Sequence, residues 1–518
     1  MLQTNKIIVF KEITMHKITY SLLIIFIFFA MLSKAQNGTA TYQEQYRPQI
    51  HFSPAAHWMN DPNGMVYNDG IYHLFYQYYP DSAVWGPMHW GHATSTDLIH
   101  WTHQPIALYP DILGYIFSGS AVVDKNNTSG FGKGGKAPLV AIYTSHDTVG
   151  EKAGRNDFQT QSVAYSLDNG KTWTKYSSNP VIKNPGIRDF RDPKVMWYEK
   201  EKKWIMILAV KDHVAFYSSP DLKQWTHESD LGNNLGAHGG VWECPDLFAL
   251  PHNGKEVWVA TVSINPGGPN GGSATQYFTG SFDGKTFTPD DTTTKWMDYG
   301  TDNYAGVTWS NVPGNRRISL GWMSNWNYAT TVPTEVWRSA NTLPRDLALK
   351  EVTGKLYLTS TPVKELDKIT KRTTTVTNTD VSDYTIGQKI TMPYRMSFTS
   401  DGLKDFAVTL SNEAGEQLVV GYDKGANQYY IDRSKTGESV FNKDFAAKHT
   451  APRLSDSKSV NITMIVDAAS IELFADDGLS VMTDIFFPKS LLNKIHIQSP
   501  DKMTVNMLQV YSLQSIWK

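Results

Sequence analysis

The feature that most constrains this chain is a repeated strand signal. An apolar run recurs as IYHLFYQYY (71–79), PLVAIYTS (138–145), KWIMILAV (203–210), EVWVATVSI (256–264) and RRISLGWMS (316–324). Behind four of these runs comes a turn of one chemical plan: STDLIHW (95–101), SLDNGKTW (166–173), SSPDLKQW (218–225) and GSFDGKTF (280–287). Each turn carries an aspartate, followed four or five residues later by an aromatic residue. An Asp at a turn caps backbone amides, and the aromatic is then placed to fill the gap to the next unit. Asp97, Asp168, Asp221 and Asp283 therefore read as structural. Units of roughly 50–70 residues built of strands and turns, without a 3.6-residue period, predict propeller blades rather than a helical solenoid. The count is five blades, over residues 46–345.

The residues that open each unit carry the functional signal. They read NDPNGMVY from Asn60, FSGSAVVD from Phe117, RDPKVMWY from Arg191, ECPDLFAL from Glu243 and NYAGVTW from Asn303. In a propeller the first strand of each blade lines the central channel, so the five openings are expected to meet around one axis. Asp61, Asp192 and Glu243 then share a pocket despite their separation in sequence. Asp-Pro-Asn-Gly alone is an ordinary turn and Arg-Asp-Pro alone is often a structural ion pair. Three acids at the same register of three inner strands are harder to explain that way, because gathering like charges costs stability unless function retains them.

Two carboxyl groups across a bond are the minimum for cleaving a glycoside, whose transition state resembles an oxocarbenium ion. With Asp61 facing Glu243, Asp61 can attack the anomeric carbon while Glu243 protonates the departing oxygen and later activates water; Asp192 sits by adjacent hydroxyls. Arg191 is placed to pair with one of the carboxylates. Trp242, Cys244 and Pro245 give Glu243 apolar sequence neighbours, which predicts a carboxyl kept protonated.

The ordered set WMNDPNG (58–64), FSGS (117–120), RDP (191–193) and ECP (243–245) resembles the motifs of glycoside hydrolase family 32, the invertases, inulinases and levanases, with the likeness running from about Tyr46 to the end and including IELFADDG (471–478). The resemblance implies an all-β fold, a five-bladed β-propeller followed by a C-terminal β-sandwich, and a retaining mechanism on β-fructofuranosides. It implies Asp61 as nucleophile, Asp192 as transition-state stabiliser and Glu243 as acid/base. Asn60, Gln77, Trp85, Phe117, Ser118 and Arg191 match sugar-binding positions, with Trp326 as a further member. The segments NPGGPNGGSATQYFTGSFDG (265–284) and GWMSNWNYA (321–329) are most similar to exo-acting enzymes, for which levan, inulin and sucrose are the substrates to consider. Trp85 and Trp326 are expected to wall a blind funnel that admits one terminal fructose. No metal or other cofactor is called for. A fructosyltransferase with the same triad is one alternative, and an inverting propeller glycosidase acting on arabinan or xylan is another.

Beyond Pro344 the repeat stops. The Lys/Thr-rich stretch 346–384 reads as a linker, and 385–518, with alternating strands and turns at SDG, NEAGE, KGAN and DDG, reads as the β-sandwich. Its strands show no obvious exposed aromatic cluster, so structural support is its expected role. A formal net charge of -2 removes the usual case for nucleic acid as partner and favours a neutral ligand. At the N-terminus SLLIIFIFFAML (21–32), preceded by Lys17 and followed by Ser33-Lys34-Ala35, has the layout of a secretory signal with cleavage before Gln36, and Met15 is an alternative start. Export without a stable membrane anchor, to the periplasm or beyond, is the expectation. One cysteine, Cys244, excludes an intrachain disulfide. The sequence carries no signature of a particular oligomeric state. GFGKGGK (130–136) approaches a phosphate-binding loop but leads into a strand instead of a helix, with Ala137 where Ser or Thr is required. NNTS (126–129) and NIT (461–463) are glycosylation sequons.

Overall fold

Five sheets, each with four main antiparallel strands, radiate from a common axis, and two of them carry an additional short strand. The computed structural model describes residues 41–517, Gln388 excepted, so the signal expected at 1–35 lies outside the described residues. The inner strands of blades I to V are His57–Asn68, Tyr115–Val123, Phe190–Tyr198, Val241–His252 and Tyr304–Thr308. The five apolar runs form the second strand of each blade. These strands are covered on both faces by neighbouring blades, which is why they read as nearly unbroken hydrophobic stretches rather than alternating ones. Leu139–His146, for example, is buried at every position.

The repeated turn joins the third and fourth strands of blades I to IV, and its aspartate caps as expected. Asp97 accepts from the amides of Ile99 and His100, Asp168 from Thr172, Asp221 from Lys223 and Gln224, and Asp283 from Lys285 and Thr286. The following aromatics pack against the adjacent blade: Trp173 of blade II meets Phe75 of blade I edge-on at 5.5 Å, and Trp101 of blade I stacks with Trp309 of blade V at 6.1 Å. The ring closes between blades V and I, where His57–Trp58 pairs in parallel with Trp337–Arg338.

The expected linker 346–384 is strand instead. Arg345–Val352 and Lys355–Pro362 are the two outer strands of blade V, and Thr370–Asp380 is the edge strand of the sandwich. The propeller thus runs to about residue 362 and the sandwich begins at 370, with only the short 3-10 turn Lys364–Ile369 between. The Lys/Thr composition misleads because outermost strands keep one face in water. Thr suits a half-exposed pleat, and Lys protects an edge.

The sandwich consists of two six-stranded antiparallel sheets enclosing one core that includes Met396, Phe398, Val408, Tyr429, Met464 and Leu508. Turns fall at the predicted glycines: Gly415 and Gly478 sit in hairpins, Gly402 in the crossing from one sheet to the other, and all three have positive φ. The propeller and sandwich meet across a buried polar seam. His51 lies 2.8 Å from both Asp467 and Glu472, Arg345 bridges Glu472 and Asp298, and Arg433 pairs with Asp302 at 2.7 Å. His449 lies 2.7 Å from Asp484, whose other oxygen accepts from the amide of Thr301.

Candidate active site

All five inner strands carry the same irregularity at one end. Two residues oppose one on the neighbouring strand between Met59 and Pro62, Ile116 and Gly119, Arg191 and Lys194, Glu243 and Asp246, and Tyr304 and Val307. A β-bulge of this kind re-aims side chains out of strict alternation. Here it turns Asp61, Ser118, Asp192 and Cys244 toward the axis. Asp192, Cys244 and Ala305 adopt positive φ of 66°, 47° and 54° at three of the five bulges. Left-handed backbone is costly for residues with a Cβ, and such strain concentrates at functional sites.

The bulges surround a cavity of about 310 Å³ lined by Asn60, Asp61, Gln77, Trp85, Phe117, Ser118, Arg191, Asp192, Glu243 and Trp326, so the fold brings together all ten residues singled out from the sequence. Asp61 accepts from Ser118 Oγ at 2.6 Å and Asn60 Nδ2 at 3.0 Å, and Cys244 Sγ lies 3.4 Å from the same oxygen that Ser118 holds. Burial raises the Asp61 carboxyl above its ordinary range; the Ser118 hydrogen bond opposes that shift and the charge of Glu243 adds to it. Asp192 accepts from the Cys244 amide at 3.0 Å. Burial pushes it up to about 7, with Arg191 counteracting and Glu243 and Asp61 reinforcing. Glu243 accepts from Arg191 Nε at 3.2 Å and Nη2 at 3.0 Å through one oxygen, and from the Tyr304 hydroxyl through the other. Arg191 is fixed from behind by Asp189, 2.7 Å from Nη1.

The surroundings of Glu243 differ from those expected. Its sequence neighbour Trp242 points to the opposite face of the strand, where it is fully buried between blades and donates to the Ala237 carbonyl. Side chains alternate along a strand, so apolar neighbours in sequence say little about the environment in space. Arg191, which had no assigned partner, takes Glu243, with Asp192 farther away at 4.0 Å.

Other residues at the site carried no motif signal of their own. Tyr304 occupies the same bulge register in blade V as Arg191 and Glu243 in blades III and IV, and aligning the five openings would have found it. His146, whose ring stacks on Phe117 at 4.1 Å, and Gln159, which accepts from Arg191, come from strands behind the inner one. Glu151 and Arg188 complete the outer wall. Trp85, 40% exposed, stands at the rim, and Trp326 stacks on Trp58 at 5.9 Å. Among the described residues no group of His, Cys, Asp and Glu is arranged to hold a metal ion.

Residues 51–360 match the glycosyl hydrolases family 32 N-terminal domain, and 358–512 match the glycosyl hydrolases family 32 C terminal. The chain is 48% identical over 492 residues to a levanase of Bacillus subtilis (strain 168), covering 92% of this chain and 72% of that one. It is 41% identical over 517 residues to an extracellular exo-inulinase of Aspergillus niger, covering 92% and 96%. Among solved structures, an exo-inulinase from Aspergillus awamori superposes with a TM-score of 0.84 at 38% identity, covering 92% of this chain and all of that one. A fructofuranosidase from Schwanniomyces occidentalis complexed with fructose gives 0.84 at 34%, covering 92% and 99%. With both of its domains matched end to end, the chain belongs to glycosyl hydrolase family 32.

Proposed function

We propose that this protein is an exo-acting β-fructofuranosidase that releases terminal fructose from levan, inulin and sucrose with retention of configuration. The observation that carries the reading is the convergence of three carboxyl groups from three blades on one walled cavity. Asp61 is the nucleophile: it attacks the anomeric carbon of the terminal fructosyl unit as the glycosidic C–O bond breaks. Ser118 and Asn60 hold its carboxylate in place. Glu243 is the acid/base, giving its proton to the leaving oxygen and then taking one from the water that attacks the fructosyl-enzyme ester and frees Asp61. Arg191 and Tyr304 fix the two oxygens of Glu243, so its proton is delivered from a defined position. Asp192, held by the Cys244 amide, binds adjacent sugar hydroxyls and stabilises the positive charge that develops on the ring.

A cavity walled by Trp85 and Trp326 suits a chain end better than the middle of a polymer. Export agrees with the signal-like run at 21–32 and with the extracellular inulinases that the chain resembles. The test is a product time course on levan, inulin and sucrose resolved by anion-exchange chromatography, with Glu243→Gln as control. Fructose as the sole early product from a polymer is the expected result. Oligosaccharides appearing first contradict the exo assignment, and fructosyl-elongated products at high sucrose point to a transferase.

A further inference from the structure

A second cavity, of about 390 Å³, lies between the outer end of blade V and one face of the sandwich, and it shares no residue with the catalytic pocket. Its volume is within the ~300–1,000 Å³ typical of ligand sites. The floor is the outward face of three neighbouring strands, Thr504–Leu513, Tyr394–Asp401 and Ser459–Val466. Gln509, Ser397 and Thr463 sit directly opposite one another in one row across these strands, and Tyr511 and Arg395 face each other in the next. Alternate residues on the same strands, Met396, Phe398, Leu508 and Val510, point into the sandwich core.

The chemistry of this face is selective. Among the described residues, the side chains of Ser397, Thr463 and Gln509 make no hydrogen bond to protein, although they lie half-buried in a groove walled by Thr361–Lys364. Most of the charged groups are paired, Arg395 with Asp367 at 2.8 Å and Asp477 with Lys350 at 3.3 Å, while Lys364 on the wall makes no ion pair among the described residues. Arg395 also covers one face of the Tyr511 ring at 4.6 Å. A row of uncommitted hydroxyl and amide groups beside an aromatic ring fits a polyhydroxylated chain.

We propose that this groove is a second binding site for fructan, which holds the polymer while its end is cut in the propeller. The inference rests on the proposed action on polymers. Removing the uncommitted groups in a Ser397→Ala/Gln509→Ala double variant breaks no hydrogen bond within the protein, so folding is expected to survive.

The expected result is an apparent KM for levan or inulin raised about three- to tenfold, the effect of two lost hydrogen bonds, with kcat and the sucrose constants unchanged. In parallel, the inactive Asp61→Ala protein should be retarded in native gels cast with levan or inulin, and adding the double variant should weaken the retardation. An unchanged polymer KM and unchanged gel mobility overturn the groove, as does an equal shift for polymer and sucrose. A wild-type chain that cleaves sucrose but neither polymer overturns the polymer reading itself, and the groove's role with it.

Discussion

Two clusters of buried carboxylates, one at the seam between propeller and sandwich and one in the candidate active site, differ in how many cations meet them. At the seam between propeller and sandwich, Asp298, Asp302, Asp467, Glu472 and Asp484 are met by Arg345, Arg433, His51 and His449, with backbone amides taking remaining oxygens. Burial alone would raise Glu472, but Arg345 and His51 outweigh it and hold the carboxyl at about 2. Burial would likewise lower His51, yet its two carboxylate partners raise it to about 9. In the catalytic cavity three carboxyl groups share one nearby guanidinium, that of Arg191, and both Asp61 and Asp192 are pushed up rather than down. Paired charge docks one domain on the other. Unbalanced charge is a cost that chemistry retains.

Four predictions break or sharpen this contrast. The largest effect is expected for Asp61→Ala, with kcat/KM reduced about 10⁴-fold or more and no loss of thermal stability. Steady-state kinetics beside calorimetry checks it, and activity within tenfold of wild type removes Asp61 from the mechanism. At the seam the signs reverse. Arg345→Met leaves Asp298 without its cation and Glu472 with His51 alone, and should lower unfolding stability by about 3–5 kcal/mol, while the protein that remains folded keeps its kcat. Chemical denaturation measures the first and active-site-normalised kinetics the second.

Smaller effects follow from protonation. The seam contribution of His51 is complete below its unfolded value near 6.5 and lost as pH rises through about 9; that of Glu472 is complete above 4.5 and lost as pH falls through about 2. In a series of thermal unfolding curves, His51→Gln should therefore flatten the alkaline limb and leave the same shape above pH 9. Asp192 works the other way. Its folded value, raised from 3.8 to about 7, makes wild-type stability fall as pH rises between those values. Asp192→Asn should gain a few degrees in Tm at pH 8 relative to wild type while losing activity, and a lower Tm would mean that the site is not strained by its charge.

The sequence discloses these two regions unequally. The three candidate acids were legible because each lies at a repeated position, just ahead of a run that blade packing makes nearly all apolar. Even there, the partners of Glu243 were not, since a bulge and strand alternation set Arg191 and Tyr304 on it while Trp242 turned away. The outer strands of blade V were hidden because Lys350, Glu351 and Lys355 belong to a pleat with one wet face. The seam was hidden altogether: His51, Asp298, Arg345 and Glu472 belong to separate elements, and no period links them.

The most direct test of the account is to identify the residue that carries the sugar. Glu243→Gln should still accept a fructosyl group from an activated fructoside with a good leaving group, which needs no protonation, and should hydrolyse the ester slowly. Acid quench, digestion and mass spectrometry are expected to place one fructosyl unit on the peptide that contains Asp61. An adduct on Asp192 or elsewhere, or none at all under turnover, contradicts the mechanism.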